Sequence, residues 1–431
     1  MRSAGKVQVI PKDIFYGWWI VAAGTLATML SSTFSYYGFS TFFPAIEKEF
    51  GWSRAAISGA FSLSRIESGV LGPLEGYLTE RFGSRRMMMA GVVLLSIGFV
   101  LFSQVNSMLA FYLVIIFGIV LGGSLGFHMP VSFAVANWFH LKRGKAFGIL
   151  RSGPGLAGLL VPLVGFLIVA LGWRLAAVVG GLTILVIGLP LALVMRTRPE
   201  ECGLCPDGVP PSAGTTSLNP LHQTALPATS ARHEISFTSS QALRTTAFWL
   251  LSIAMTATSM ATSGVLVHFV VMLEGRGIDV AVGTILLGLV AFMSIPGRLG
   301  FTWLSDYLDG RSLLTGLMVV LGATILCMAQ VEGLLPFVVL TGVFAITYGG
   351  SISVIEPLRA DYFGVHHFAS IMGFMRLIQA VGHFAGPLLA GVMYDVTQSY
   401  VAALTIFGVC VLIGAACMFM ARRPSVKMHS R

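Results

Sequence analysis

Residues 76–86 read GYLTERFGSRR and lie between two long apolar segments. A related stretch, WLSDYLDGR, occupies residues 303–311 at a corresponding place in the second half, and pairs Glu80 with Asp306. A second correspondence lies between residues 148–162 and the segment 225 positions later. It matches Gly148, Arg151 and Pro162 with a glycine, an arginine and a proline at residues 373, 376 and 387. Repeats of this sort are typical of membrane proteins built from two related halves. The two stretches therefore predict a duplicated chain.

The composition around these stretches is that of a membrane protein. Of 431 residues, 55% are hydrophobic and 10% are charged, and the mean hydropathy is +0.84. An ordinary soluble protein carries about 25% charged residues. Fifty glycines suit helices that pack closely in lipid. This composition excludes a soluble protein, a disordered chain, a coiled coil and collagen.

Apolar stretches long enough to cross a bilayer, about 20 residues each, indicate the membrane topology. One long polar stretch, residues 196–244, divides them six and six. We predict an all-α membrane protein with twelve transmembrane helices in two pseudo-symmetric six-helix bundles, residues 1–195 and 245–431, joined by a linker. The predicted centres of the twelve spans are Thr25, Ser68, Leu95, Val120, Gly158, Leu185, Thr258, Val290, Val320, Val343, Ala380 and Val409.

The positive charges indicate the orientation in the membrane. Of 27 Lys and Arg, 19 fall on the side of the N-terminus, Arg311 and Arg359 among them, and four fall on the other side. Basic residues stay in cytoplasmic loops, so we expect both termini and the linker in the cytoplasm, with the protein in lipid of a bacterial inner (plasma) membrane. Topology then explains the net charge of +9, and no nucleic acid partner is expected.

No motif for metal binding, redox chemistry or catalysis stands out. Cys202 and Cys205 form a CxxC without two further ligands nearby. The chain has no Gly-x-x-x-x-Gly-Lys loop for phosphate and no HExxH helix or serine nucleophile elbow. We therefore expect no cofactor, no metal, no direct coupling to ATP and no enzymatic activity.

GYLTERFGSRR resembles the signature Gly-x-Leu-x-Asp-Arg-x-Gly-x-Arg-Arg of the major facilitator superfamily, with Glu80 in place of the usual Asp. Within that superfamily the chain resembles the oxalate/formate antiporter and monocarboxylate transporter group. The stretches that carry this resemblance are FYGWWIVAAG (15–24), NWFHLKRGKAFGILRSGPGLAG (137–158), RPEECGLCPDG (198–208) and IPGRLGFTWLSD (295–306). The resemblance implies two bundles that alternate access to a central site, a small organic anion as substrate, and a proton or a counter-anion as the coupled species.

The resemblance also implies substrate ligands. The arginine of span eight, which binds a substrate carboxylate in that group, falls on Arg298. A second anion ligand in span eleven falls on Gln379 when the following proline is aligned, with Arg376 about one turn away. An arginine suits a carboxylate because its planar fork donates two parallel hydrogen bonds.

Charges inside the spans are costly and often functional. Arg298 has a structural alternative to substrate binding: its side chain could extend to the membrane surface or pair with Asp306. Arg376 and its repeat partner Arg151 have the alternative of structural ion pairs. The charged residues that fall inside the predicted spans are Arg65, Arg151, Arg298, Arg376, Glu67, Glu75 and Glu356.

The other candidates divide by role. Tyr36 and Tyr348 are expected either to line the central cavity or to pack. Glu67 and His383 are candidate proton carriers, with a structural network or hydrogen-bonded packing as the alternative. His128 and His268 are further histidines inside spans. A gate network on the cytoplasmic side is predicted to contain Glu75, Glu80, Arg81, Arg85 and Asp306.

Two other functions are left open by the sequence. A carrier of neutral or cationic small molecules predicts a central cavity dominated by acids, whereas arginines outnumber acids in the spans. A membrane sensor on the same scaffold needs a sizeable soluble output domain, and the linker is short and polar.

Overall fold

The computed structural model describes residues 15–139, 142–208, 237–305, 307–363 and 368–424. For residues 64–73, 143–144, 356, 360 and 368–370 it describes the backbone alone. All regular structure in this part of the chain is helical.

Twelve long helices form the fold within the described residues, six in each half of the chain. The first, α1 (residues 16–50), joins Tyr16–Ser31, a π-helical turn at Ser32–Tyr37, and Gly38–Phe50. The others are α2 (Arg54–Phe82), α3 (Ser84–Phe102), α4 (Met108–Trp138), α5 (Lys145–Leu171), α6 (Trp173–Val194), α7 (Thr246–Glu274), α8 (Val280–Leu304), α9 (Gly310–Gln330), α10 (Leu334–Phe363), α11 (Phe368–Thr397) and α12 (Val401–Met420).

Ten of these helices, α3 to α12, are long and apolar enough to cross a membrane. The predicted all-α fold of twelve membrane helices is confirmed. The prediction was least accurate for α1, because the helix continues through Pro44 to Phe50 and its middle lies near Thr33 instead of Thr25. Proline removes one backbone hydrogen bond, but neighbouring helices in a membrane protein allow the helix to continue.

Glycines allow the helices to approach one another closely. In the first bundle, a Cβ atom on Gly91 of α3 would overlap the backbone of Gly126 in α4. Gly98 and Gly118 make a second contact of this kind between the same helices. Such contacts stabilise helix pairs in lipid, where apolar side chains gain little by association alone.

The two bundles are joined at several helix pairs, among them α5–α8, α2–α11 and α1–α7. Gly158 of α5 packs against Gly288 of α8, and Gly391 of α11 packs against Ala55 of α2. Between α1 and α7, the Val270 amide donates to the hydroxyl of Ser40 at 3.3 Å. The α2–α11 and α5–α8 pairs exchange under the sequence repeat, which relates α2 to α8 and α5 to α11. The contacts therefore follow the predicted pseudo-symmetry.

The two ends of the fold are distinct. We call the end where α1 begins and α12 ends the terminal face, and the end where α2 begins the opposite face. Both described ends of the linker pack on the terminal face: the Trp138 indole donates to the Arg196 carbonyl at 3.0 Å, and the Phe237 amide donates to the Phe363 carbonyl at 3.1 Å. Cys202, in the same part of the linker, is an exposed free thiol.

The structure places one arginine in a different environment from the one assigned to it by sequence. Arg359, counted above among the loop cations, lies inside α10 and is only 3% exposed. The apolar stretch of the tenth span ends before this residue, but the helix continues to Phe363. The interior of the second bundle therefore holds a cation that the loop count had placed in water.

Candidate functional site

Arg298 lies near the terminal-face end of α8, after Pro296 and Gly297. Gly297 lies directly against the carbonyl of Ile346 in α10, so a side chain at this position would overlap that helix. The Arg298 Nη1 donates to the Arg151 carbonyl oxygen at 2.8 Å, which joins α8 to α5 across the two bundles. The Arg298 Nε is buried, and no described atom accepts a hydrogen bond from it.

Three tyrosines lie together where α1 meets α10, in the region of this arginine. Tyr36 and Tyr37 belong to the π-helical turn of α1, with ring centroids 5.0 Å apart. Tyr348 of α10 is hydrogen bonded to Tyr36, and both Tyr37 and Tyr348 lie within electrostatic range of Arg298. A π-helical turn holds an extra residue, changes the direction of the side chains and is frequent at functional sites.

Together these side chains form a cationic, hydroxyl-bearing group between the bundles. We call Arg298, Tyr36, Tyr37 and Tyr348 the central group. A buried donor without an acceptor costs about 1–3 kcal/mol, and an anion that accepts from Arg298 would recover this cost. Hydroxyl groups can donate to the same anion. The central group is therefore suited to bind a small anion in contact with both bundles.

The two candidates on α11 lie in different surroundings. The Gln379 oxygen accepts from Arg359 Nη2 at 3.0 Å, and its amide donates to the Ser259 hydroxyl at 3.3 Å. The side chain of Gln379 is thus engaged within the second bundle. Arg376 and its repeat partner Arg151 are both exposed on the protein surface when lipid is not considered. Of the predicted substrate ligands, the structure brings Arg298, Tyr36 and Tyr348 together, and it engages Gln379 elsewhere.

Of the predicted gate residues, Glu80, Arg81 and Arg85 lie at the terminal face, and Glu75 lies two turns further inside α2. Glu80 and Arg81 are exposed, and Arg81 donates to the Tyr77 hydroxyl at 3.0 Å. Glu75 is 2% exposed, and its Oε2 accepts from the Ser124 hydroxyl of α4 at 2.6 Å. Arg85 is half-buried at the start of α3.

Four further charged residues that the sequence singled out have no described side chain. Asp306 lies outside the described residues, and for Arg65, Glu67 and Glu356 only the backbone is described. The gate role of Asp306 with Glu75, Glu80, Arg81 and Arg85 stays a prediction, as does the proton role of Glu67.

The membrane histidines have distinct environments. His383 of α11 is half-buried, and its carbonyl accepts from the Ser263 hydroxyl at 3.4 Å. His128 of α4 is exposed in the protein alone. His268 of α7 is only 1% exposed and contacts the ring of Phe43 in the first bundle, with centroids 5.1 Å apart. The proton role assigned to His383 stays a prediction.

A polar cluster joins the bundles at the opposite face. Its members, named here the opposite-face cluster, are Glu47 and Arg54 of the first bundle and His268, Tyr394, Asp395 and Tyr400 of the second. Arg54 is 6% exposed, its Nε bonds Glu47 at 2.7 Å, and its guanidinium carbon lies 3.6 Å from the ring centroid of Tyr394. The Asp395 carboxylate accepts from the backbone amides of Arg54 and Ala55, each at 3.0 Å. An acid of one bundle thus binds the N-terminus of a helix in the other, where the helix dipole favours negative charge.

Sequence analysis missed this cluster because it counted Arg54 as a loop cation. A signal was present: Arg54 is the first residue of α2, where a positive charge opposes the helix dipole. An arginine at that position requires negative partners. Asp395, an acid near the end of the eleventh span, is one of the few available on that side.

Comparisons with known proteins agree with this architecture. The sequence model of the Major Facilitator Superfamily matches residues 25–355. Two solved structures of a bacterial homologue of the human lysosomal transporter Spinster share the fold. The inward-facing occupied form has a TM-score of 0.72 and 16% identity over 94% of this chain and 97% of that chain. The inward-facing unoccupied form has a TM-score of 0.74 and 17% identity over 96% and 98%.

Curated relatives extend over nearly the whole chain. Human monocarboxylate transporter 12 is 25% identical over 96% of this chain and 81% of its own length. Bovine monocarboxylate transporter 13 is 26% identical over 94% and 89%. The oxalate:formate antiporter of Oxalobacter formigenes is 25% identical over 90% and 88%. The chain therefore belongs to the Major Facilitator Superfamily and is an integral membrane transporter, not an enzyme.

Proposed function

We propose that this protein is a secondary transporter of small organic anions, mono- or dicarboxylates, that works by alternating access and is driven by a proton or a counter-anion. The observation that carries the proposal is Arg298, a cation between the two bundles whose buried Nε has no described acceptor. Tyr36 and Tyr348 supply hydroxyls from α1 and α10.

The position of the central group explains how an anion can control alternating access. Arg298 and Tyr348 belong to the second bundle, and Tyr36 and Tyr37 belong to the first. An anion that bonds to both sets favours the state in which the bundles approach each other. A ligand shifts a conformational equilibrium only through such differential contacts.

The names of the relatives support a carboxylate. Monocarboxylate transporters and an oxalate:formate antiporter are all named for carboxylates. The alternative, a neutral or cationic substrate, predicts an acid in the central group, and its four described members are one arginine and three tyrosines. A sensor function is disfavoured by a linker of only residues 196–244.

Thermal stability in the presence of ligands tests this proposal. Purified protein is heated with formate, oxalate, lactate, pyruvate or benzoate, with the amides of the same acids and with alkylamines. We expect stabilisation by at least one carboxylate, because a ligand at 100 times its Kd adds about 2.7 kcal/mol, and none by its amide. Stabilisation by an amine alone would favour the cationic alternative.

We also propose that the terminal face is cytoplasmic, that the membrane is a bacterial inner (plasma) membrane, and that residues 1–195, 196–244 and 245–431 are first bundle, linker and second bundle. The excess of Lys and Arg on the terminal face supports the orientation, and the single long polar stretch, residues 196–244, supports the division into two bundles and a linker.

Cysteine labelling tests the orientation. A variant that keeps only the exposed Cys202 should not react with an impermeant maleimide in intact cells, and should react after lysis. The matched control carries one cysteine at Gln104, an exposed residue on the opposite face, and should react in intact cells. Reaction of Cys202 from outside would reverse the proposed topology.

A further inference from the structure

His268 is the histidine of the opposite-face cluster, and both of its ring nitrogens are engaged. Nε2 lies 2.9 Å from the Pro387 carbonyl oxygen, and Nδ1 lies 2.9 Å from the Tyr400 hydroxyl. A carbonyl oxygen can only accept a hydrogen bond, so Nε2 must carry a hydrogen. In a neutral ring Nδ1 is then the acceptor.

The Tyr400 hydroxyl fits this assignment. Its oxygen accepts a hydrogen bond from Arg54 Nη1 at 3.0 Å. An arginine has no acceptor atoms, so the hydroxyl hydrogen cannot point towards Arg54 and is available to His268 Nδ1. The bonds therefore run in one direction, from Arg54 through Tyr400 and His268 to the carbonyl of Pro387.

A protonated His268 would break this chain of hydrogen bonds. Its Nδ1 would then carry a hydrogen aimed at the Tyr400 oxygen, and the hydroxyl hydrogen would lose its acceptor. A second positive charge would also lie close to Arg54 in a region where His268 is 1% exposed. Bringing a charge into such a site without a partner is strongly destabilising.

The described acids nearby are already engaged or lie apart from the ring. Glu47 bonds Arg54 Nε, and Asp395 bonds the backbone amides of Arg54 and Ala55. Neither is hydrogen bonded to His268. The titratable or charged groups described on the elements around it are Glu47 and Lys48 of α1, Arg54 of α2, Glu274 of α7, Arg276 and Asp279 of the following loop, Tyr394 and Asp395 of α11, and Tyr400.

The first bond of this chain, from Arg54 to Tyr400, exists only while the opposite face is closed, because Arg54 belongs to the first bundle and the other members belong to the second. When the bundles separate at this face, the cluster opens to water. An imidazole in water binds a proton with a pKa of about 6.5.

We propose that His268 is a proton-binding site and that closure of the opposite face releases one proton from it. On closure the imidazolium loses the Nδ1 proton to water at that face and the neutral ring accepts the hydrogen bond from Tyr400. This inference rests on the alternating access of the proposed function and adds a proton site to it.

The distance between the bundles at the opposite face tests the proposal. Spin labels are placed on cysteines at Gln104 and Glu332, exposed residues that follow α3 and α9, in a chain without its five native cysteines. Electron–electron double resonance then measures the open and closed populations at several pH values, without any carboxylate. We expect the ratio of open to closed protein to rise about tenfold between pH 7.5 and 5.5, because only the open state binds the proton.

His268→Gln is the critical variant. Glutamine keeps one donor and one acceptor but does not titrate, so its distance distribution should be independent of pH over this range. His128→Gln, which changes a membrane histidine of the first bundle, should keep the pH dependence of the parent.

The proposal is overturned if the parent shows no pH dependence, or if His268→Gln keeps it. The parent titration requires only the labelled chain to fold and no substitution at His268. Because no carboxylate is added, failure of the proposed substrate class shows only in the thermal assay and is distinguishable from failure of the proton site.

Discussion

Arg298→Ala should weaken carboxylate binding by about thirty-fold or more. Removing one partner of a buried charged pair costs about 2–5 kcal/mol, and 1.4 kcal/mol corresponds to tenfold in affinity. The Arg298 Nε has no described acceptor in the free protein, so its bonding capacity is available to the anion. Binding is measured by titration calorimetry on purified protein, with the carboxylate that gives the largest thermal shift.

Arg298→Lys should recover only part of this loss. A lysine keeps the charge, but a compact ammonium cannot reproduce the two parallel hydrogen bonds of the guanidinium. The matched control is Arg151→Lys, which should bind almost normally because Arg298 bonds the backbone carbonyl of Arg151 and not its side chain. If Arg298→Ala binds the anion like the parent, the central group is not the binding site and Arg376 becomes the leading candidate.

Asp395→Ala should open the opposite face by about 5- to 30-fold in the ratio of open to closed protein. A side chain that caps a helix contributes about 1–2 kcal/mol, and Asp395 caps α2 from the other bundle. Because the Ser53 hydroxyl still accepts from the Ala56 amide, α2 keeps a cap of its own and the variant should fold. The spin labels at Gln104 and Glu332 report the distance.

Asp279→Ala is the matched control for this variant. Asp279 also caps a membrane helix at the opposite face, since it accepts from the Ala281 amide at 2.7 Å, but it caps α8 of its own bundle. Its loss should leave the distance between the bundles unchanged. Equal opening by both variants would mean that general helix destabilisation, and not the contact between bundles, controls this face.

Most of the fold could be predicted from hydropathy because each span is a local run of apolar residues. The centre predicted for α2, Ser68, is the midpoint of Arg54–Phe82, and Val320 is the midpoint of Gly310–Gln330. The error in α1 has a physical cause. The segment after Ser31 contains a π-helical turn and Pro44, both of which look like interruptions of a helix when only the sequence is read.

The candidate site could be predicted only in part. Arg298 was found because a charge in an apolar run is conspicuous and because the surrounding residues resemble a known family. The contact between Arg54 and Asp395 could not be found in this way, because the two residues are 341 positions apart. Their meeting depends on how two bundles pack, and no local pattern encodes that distance.

The assignment of Gln379 as a ligand by alignment stays a prediction, but the structure shows other partners for its side chain. The proline of α11 places it at the expected position, but its amide is held between Arg359 and Ser259. Arg359, which donates to the Gln379 oxygen, was assigned to a loop by sequence. The reason is that the apolar run of the tenth span ends before helix α10 does.

Counterflow in reconstituted vesicles tests the central claim most directly, namely that a carboxylate crosses the membrane by binding at Arg298. Vesicles are loaded with the unlabelled carboxylate found in the thermal assay and diluted into the same compound with a radioactive label. Vesicles with the parent protein should accumulate the label, the amide of the same acid should not compete, and vesicles with Arg298→Ala should match protein-free vesicles. Equal accumulation by Arg298→Ala and the parent would contradict the account.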